Sequence, residues 1–262
     1  TSTGGRSHTF DVRADGYARA EACGSIGMRR IDRPSSASLR GGAVRQDGRG
    51  ASLTAPNGHA QQRLLVASVV DAGVRVAALC VHELHGTGTS LGDPVESGSL
   101  SAAVLTMRGL PLAVGGVKAS VGHAEPAAGM TGLLTLWRCV GGGEAMPNAQ
   151  LRAVNPHVGV VACLLPVHQA APPGADAAYA GGVSSFGYSG TIAHAVVRAA
   201  PPVATAPSLD AGPAPIRLRR RAYPWRAPDA PPSPLDALEP ELALYDTHWQ
   251  PLAATGAPPP PN

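Results

Sequence analysis

Short apolar runs alternate with longer Ala- and Leu-rich stretches from residue 1 to about residue 200. This alternation predicts an α/β domain built from layers of helices and strands. Runs rich in β-prone residues and bounded by glycine or polar clusters predict its strands. The predicted strands are residues 24–29, 43–46, 76–83, 112–117, 158–165 and 180–185.

Helical spacing of apolar positions predicts three helices. One covers residues 56–70, with Asn57 available near its start. The second begins at Asp93-Pro94-Val95-Glu96, which predicts an N-cap aspartate, a first-turn proline and a capping glutamate, and it runs to about residue 107. The third, residues 127–140, is apolar almost all round, so we expect it to be buried between layers and to end at the following glycines.

The character of the chain changes beyond about residue 200, where hydrophobic periodicity ends and well over half of its 26 prolines lie. This composition is typical of a linker. Two aromatic islands, residues 218–225 and 244–249, interrupt it. Tyr and Trp anchors predict a linker that packs back on a domain surface, and the alternative is a disordered tail with incidental aromatics.

Composition excludes several classes of protein. The formal net charge is +3, from 21 basic and 18 acidic residues, which is too balanced to select nucleic acid or an anionic membrane. No apolar run approaches the roughly 18–20 residues that cross a bilayer, so we expect a soluble, intracellular protein without a membrane span. The start lacks a methionine, which suggests a piece of a longer protein. The cysteines form no C-x-x-C pair and stand at Cys23, Cys80, Cys139 and Cys163.

Three polar clusters follow predicted strands, at places where α/β proteins commonly build sites. In the first, residues 82–93, a zinc-protease motif fails because His82 and His85 are three residues apart rather than four, and a Walker A motif fails for lack of Gly-Lys-Ser/Thr. The second, residues 115–125, contains Lys118 and His123 but no cysteine pair for a zinc deaminase. The third, residues 182–191, has small residues between two aromatics, a turn that can bind an oxyanion. Together they predict one convergent polar site.

The motifs of these clusters resemble the signatures of β-ketoacyl synthases. They are His85-Gly86-Thr87-Gly88-Thr89 with Gly92-Asp93-Pro94, Lys118 with Gly122-His123, and Ser185-Phe186-Gly187-Tyr188-Ser189-Gly190-Thr191. The resemblance covers about residues 8–198 and includes Ala14-Asp15-Gly16-Tyr17. The following islands resemble, more weakly, the linker after ketosynthase domains of modular type I polyketide synthases. The chain is thus divided into the end of an N-terminal ketosynthase half (1–55), a C-terminal half (56–199) and a linker (200–262).

The resemblance implies a thiolase-like α-β-α-β-α sandwich, of which this chain supplies mainly the C-terminal half. It implies decarboxylative condensation of an acyl group held on cysteine with a malonyl unit carried on the 4'-phosphopantetheine of an acyl carrier protein. No directly bound cofactor and no metal are expected. Partners would be the carrier protein, an upstream half with the cysteine, and a second copy in a homodimer of the complete protein.

Matching positions give each site residue an implied role. His85 and His123 would donate N–H groups to the enolate oxygen that decarboxylation creates, and Lys118 would support them electrostatically. The pantetheine amides would bind the hydroxyls of Thr87 and Thr89. The aromatic turn would gate the acyl pocket through Phe186 and Tyr188, with the Tyr188 N–H in an oxyanion hole; plain core packing is the alternative for both aromatics.

Departures from the family pattern leave a second hypothesis open. No cysteine occupies the place of the nucleophile, since Cys23 falls after it, so the isolated chain is expected not to condense. Other departures are Ile192 and Arg45 for asparagines and Ala20 and Ala22 for glycines. The alternative is a truncated or non-condensing domain that decarboxylates, binds carrier protein or acts as a scaffold; a metal enzyme is a distant third. We also expect the isolated fragment to aggregate or dimerise through the apolar 127–140 segment.

Overall fold

The strands form one mixed sheet in the computed structural model, which describes residues 1–28, 30, 37–48, 55–159, 163–166 and 180–199. The strands are β1 (Ala37–Gln46), β2 (Leu79–Glu83), β3 (Leu112–Gly115), β4 (Cys163–Leu164), β5 (Ala180–Phe186) and β6 (Thr191–Ala199). Their order across the sheet is β1-β6-β5-β2-β3-β4. The β5, β2, β3 and β4 neighbours are parallel, and β6 pairs antiparallel with both β5 and β1.

In the part of the chain that the structure describes, four helices connect these strands: α1 (Gly58–Asp71), α2 (Gly92–Ala103), α3 (Lys118–Val121) and α4 (Ala128–Gly142). The predicted cap of α1 is confirmed, because Asn57 Oδ1 accepts the Ala60 N–H at 3.2 Å. The predicted end of α4 is confirmed as well, since Gly143 takes the left-handed conformation that stops a helix. Short 3₁₀ turns precede β2, follow α2 and precede α4.

Helices cover both faces of the sheet. On one face, Leu65 of α1 and Leu100 of α2 pack with Val196 of β6 in one buried cluster. On the other, Leu136 of α4 packs with Val197, the next residue of β6, in a second cluster. Because successive residues of a strand point to opposite faces, this alternation creates an α-β-α layering. The parallel strands β2 and β3 are buried along their whole length, as is typical of parallel strands with helices on both faces of the sheet.

Several predicted elements differ from the structure. Residues 24–28 form no strand, and they cross α4 so closely that a Cβ on Gly24 would lie 2.7 Å from Met130 Cγ. β2 begins at Leu79 because residues 76–78 form a 3₁₀ turn, and the described part of the strand predicted at residues 158–165 contains β4 at Cys163–Leu164. The strand β6 was not predicted, although its alternating buried positions are typical of a strand.

The apolar helix α4 is not buried on every side in the described part of the chain. Leu136, Cys139 and Val140 are buried against the sheet, whereas Leu134 is 42% exposed. The helix is therefore buried on the side that packs against the sheet, and Leu134 departs from the predicted burial between layers. No helix within the described ranges is long and apolar enough to span a membrane. The linker predicted at 200–262 lies outside the described residues.

Candidate active site

The loop between β2 and α2 carries the first histidine of the site. His85 Nδ1 accepts the Phe186 N–H at 3.2 Å, and the two rings lie 5.4 Å apart. Because Nδ1 is an acceptor here, the neutral imidazole carries its proton on Nε2. Gly86 follows with φ +41°, and a Cβ there would lie 2.7 Å from Thr9 Cγ2. The glycine thus lets the loop turn tightly under the buried Thr9.

Two carboxylates of α2 hold this loop rather than capping the helix. The predicted Asp93 cap is wrong: α2 begins at Gly92, and its cap position forms no side-chain hydrogen bond. Instead, the carboxylates of Asp93 and Glu96 are buried and accept backbone N–H groups of the surrounding loops. The four bonds are Phe10 N to Asp93 Oδ2 (2.8 Å), Gly88 N to Asp93 Oδ1 (3.1 Å), His85 N to Glu96 Oε1 (2.7 Å) and Gly86 N to Glu96 Oε2 (2.8 Å).

The turn between α3 and α4 carries the second histidine. His123 Nδ1 accepts the Glu125 N–H at 3.0 Å, so its neutral ring also carries a proton on Nε2. The rings of His85 and His123 lie 5.4 Å apart at 85°. The ring of Tyr17 contacts His123 edge-on at 4.9 Å. The fold therefore brings together the two histidines that the sequence predicted.

Lys118 lies buried beneath this pair at the start of α3. Burial lowers its pKa, and the carboxylates of Glu83, Glu96 and Asp93 oppose that change. Glu83 accepts the Val117 N–H at 2.6 Å, and burial raises its pKa to about 7. Burial likewise raises the pKa of Asp93 to about 6 and that of Glu96 above its usual range. Glu83 was not predicted as a site residue, although an acidic residue inside an apolar strand signals a buried partner.

The electrostatic surroundings keep both imidazoles neutral. Burial, together with Lys118 and His123, holds the pKa of His85 well below 6.5. Burial and Lys118 lower the pKa of His123 to about 4, against the opposite effect of Glu125. At neutral pH, each ring can therefore donate one hydrogen bond from Nε2 while its Nδ1 stays fixed by a backbone N–H.

The two threonines predicted to bind substrate lie side by side on the His85 loop. Thr87 Oγ1 and Thr89 Oγ1 are 3.2 Å apart, and Thr89 Oγ1 also accepts the Gly92 N–H at 3.0 Å. Both side chains are half-buried. A hydroxyl pair of this kind can offer both donors and acceptors to a polar ligand.

The two predicted residues of the aromatic turn between β5 and β6 lie in different surroundings. Phe186 lies against His85 and also packs on the cluster that contains Ile192. Tyr188 is 82% exposed, so core packing does not describe it. Among the described residues, its backbone N–H has no acceptor in the turn. The buried position of Ile192 shows that this departure from the family pattern fills the core.

The remaining candidates lie apart from the histidine pair. His82 and His194 stack at 5.0 Å inside the domain and bond to Ser184 and Ser68. Burial lowers the pKa of His82 to about 3 and that of His194 well below 6.5. Within the described ranges, no three His, Cys, Asp or Glu side chains group to hold a metal ion. Cys23 is exposed in a segment without regular structure.

Comparison with known proteins places these motifs in a family. Residues 36–152 match the family model "Beta-ketoacyl synthase, C-terminal domain". The chain is 36% identical, over 96% of its length, to erythronolide synthase EryA2 of Saccharopolyspora erythraea. It is 40% identical, over 77% of its length, to a phenolphthiocerol/phthiocerol polyketide synthase of Mycobacterium tuberculosis. It spans only 7% and 10% of those relatives' own lengths.

Solved structures agree with the fold. The oxazolomycin ketosynthase domain OzmH KS7 of Streptomyces albus JA3453 superposes with a TM-score of 0.70 at 31% identity, over 79% of this chain and 38% of that one. The ketosynthase from module 6 of the bacillaene synthase of Bacillus subtilis 168 gives 0.69 at 28% identity, over 77% and 38%. The predicted thiolase-like fold, with mainly its C-terminal half present, is confirmed.

Proposed function

We propose that this chain, which belongs to the β-ketoacyl synthase family and matches the model of its C-terminal domain, supplies the histidine half of a condensing active site in a modular type I polyketide synthase. The observation that carries this proposal is the shared geometry of the two imidazoles. Each Nδ1 accepts a backbone N–H, so two Nε2–H donors stand on rings 5.4 Å apart. Donors fixed before the reaction stabilise a developing oxyanion without reorganisation.

The proposed reaction begins with a malonyl thioester and an acyl group on a cysteine outside this chain. Cleavage of the C–C bond to the malonyl carboxylate releases carbon dioxide and sends its electron pair into an enolate. His85 and His123 donate hydrogen bonds to the enolate oxygen. The enolate carbon then attacks the acyl-cysteine carbonyl, and the resulting tetrahedral intermediate expels the cysteine thiolate. The products are a β-ketoacyl thioester, carbon dioxide and free thiolate.

Lys118 supports this reaction through its charge. In its protonated form it lies close enough to both rings to disfavour their protonation. It thereby keeps each Nδ1 free to accept its backbone N–H and adds positive potential near the enolate. Glu83, Glu96 and Asp93 stabilise this buried cation.

Substrate binding is proposed for the residues around the pair. The Thr87 and Thr89 hydroxyls would bind the amides of the 4'-phosphopantetheine arm that an acyl carrier protein presents, with no cofactor bound directly. Phe186 would border the acyl pocket beside His85, and the Tyr188 N–H, which donates to no acceptor within the described turn, would bind the thioester oxygen of the acyl-cysteine. Further partners are the half with the cysteine and, in the complete protein, a second copy. The reaction would take place inside the cell.

A reconstituted enzyme tests this function. The whole chain is co-expressed with an N-terminal ketosynthase half that carries the cysteine; we call this complex the paired protein. With acyl and malonyl carrier proteins, it should release carbon dioxide and form β-ketoacyl product. His85→Ala and His123→Ala should each lower kcat by about 10²–10³-fold. The exposed His157 provides the control, because His157→Ala should leave kcat unchanged.

The same experiment decides the second candidate function. A non-condensing decarboxylase is favoured by Ile192, which stands where the family pattern has an asparagine. It would release carbon dioxide from malonyl carrier protein without forming coupled product. A paired protein that gives neither carbon dioxide nor product would overturn both functions.

A further inference from the structure

The turn that follows His123 has an unusual backbone. Glu125 adopts φ +44°, a left-handed conformation that residues with a side chain rarely take. In this conformation, the Glu125 N–H points back to His123 Nδ1 at 3.0 Å. Strained backbone of this kind persists only where neighbouring groups hold it in place. The orientation of His123 therefore depends on whatever stabilises Glu125.

Side chains from the N-terminal segment provide that stabilisation. The Tyr17 hydroxyl donates to Glu125 Oε1 at 3.3 Å, and Arg19 Nη1 lies 3.4 Å from the same oxygen. Arg19 is 68% exposed, whereas Tyr17 is half-buried. An exposed ion pair contributes little. Tyr17 differs from Arg19 because its ring also contacts His123.

Tyr17 also contacts the imidazole itself. Its ring meets the edge of the His123 ring at 4.9 Å and 63°. Backbone hydrogen bonds also hold His123 in position. The His123 N–H donates to Ala18 O at 2.7 Å, and the Ala20 N–H donates to His123 O at 3.0 Å. One segment thus holds the backbone of His123, one side of its ring and the turn that bonds its Nδ1.

We propose that Tyr17 and Glu125 form a positioning pair for His123, here called the brace, which fixes its neutral tautomer and aims Nε2–H into the site. Neither residue is a catalytic residue, since both act through the imidazole. The proposal deepens the proposed function and rests on it for its catalytic meaning. The tautomer of His123 can be measured independently of any enzymatic activity.

Nitrogen NMR of the ¹⁵N-histidine-labelled full chain at neutral pH tests the brace. The chain has nine histidines, and the resonances lost in His123→Ala identify the relevant ring. In the unsubstituted chain, His123 should show one tautomer with an unprotonated Nδ1. In Glu125→Ala, the turn loses both side-chain bonds and relaxes, so a mixture of tautomers should appear. Tyr17→Phe, which removes only the hydroxyl, should give a smaller admixture.

A double variant separates the brace from two independent effects. Because Tyr17 acts through the Glu125 carboxylate, Tyr17→Phe in the Glu125→Ala background should change the tautomer ratio no further. Glu21→Ala is the matched control, since Glu21 borders the same surface groove but makes no hydrogen bond to the His123 turn in the described structure. It should leave the spectrum unchanged.

Kinetics of the paired protein give the second readout. Glu125→Ala should lower kcat for carbon dioxide release from malonyl-pantetheine about tenfold, less than loss of the whole donor, with KM within about twofold. A single His123 tautomer in both Tyr17→Phe and Glu125→Ala would overturn the brace, whatever the activity. A paired protein without decarboxylation would instead overturn the proposed function, while the spectra still decide the brace.

Discussion

His85 and His123 are fixed alike at the ring, each by a backbone N–H on Nδ1, but the segments that carry them are anchored differently. The His85 loop rests on Glu96 and Asp93, which are buried and each accept two backbone N–H groups. The His123 turn rests on the partly exposed Glu125. Burial makes the first anchor part of the folded core, whereas the second is a local support at the surface. We therefore expect loss of the first to affect stability and loss of the second to affect orientation.

The largest expected difference is in stability. Glu96→Ala should lower the free energy of unfolding by about 3 kcal/mol, because it strands two buried N–H groups and removes a counter-charge of Lys118. Glu125→Ala should lower it by less than about 0.5 kcal/mol. Urea unfolding of the full chain measures both. Glu96→Gln, which keeps one acceptor oxygen, should fall between them, and equal losses at Glu96 and Glu125 would contradict the comparison.

Glycines next to the two histidines offer a finer comparison. Gly86 and Gly122 both have positive φ, so alanine costs about 1–3 kcal/mol at either from backbone strain alone. At Gly86, the new Cβ would also lie 2.7 Å from a side chain that is fully buried, whereas at Gly122 it would lie 2.9 Å from Ala20 Cβ in a more exposed segment. Gly86→Ala should therefore lower the urea midpoint more than Gly122→Ala. The reverse order would show that the His85 loop accommodates the added Cβ better than the His123 turn does.

Titration gives the smallest effect and separates the rings directly. Glu83, Asp93 and Glu96 have raised folded pKa values, so their contribution to stability improves as pH falls. The two histidines act in the opposite direction: both folded pKa values lie below the ordinary 6.5, so their own contribution to stability is lost as pH drops below about 6.5. For His123 this loss should end near its folded pKa of about 4, and for the more buried His85 it should continue lower. Histidine NMR during acidification should show His123 titrating first. If both imidazoles titrate over the same pH range, their different burial does not set their pKa values.

Local sequence signals predicted much of this molecule. Helical spacing and Asn57 placed α1, and glycine-rich turns after apolar strands marked the His85 and His123 loops. The role of Asp93-Pro94-Val95-Glu96 was predicted wrongly, because a capping motif and a loop anchor use the same carboxylates and differ only in which N–H groups lie nearby. Tyr17 was noted only as part of a supporting motif. Its contact with His123 bridges more than a hundred residues, which local patterns do not report.

The pairing of β1 with β6 has a consequence for the order of folding. Residues 37–46 meet residues 191–199 along nine paired positions, and the bonded side chains of Gln46 and Thr191 are 145 residues apart. During synthesis, β1 therefore has no β6 beside it until the ribosome has released the last strand. Until then its exposed edge is available to other chains, because unpaired strands recruit one another. Slow translation between these two segments would lengthen the interval in which β1 is unpaired. A chaperone that binds extended segments would shorten the time during which neighbouring nascent chains can pair with β1.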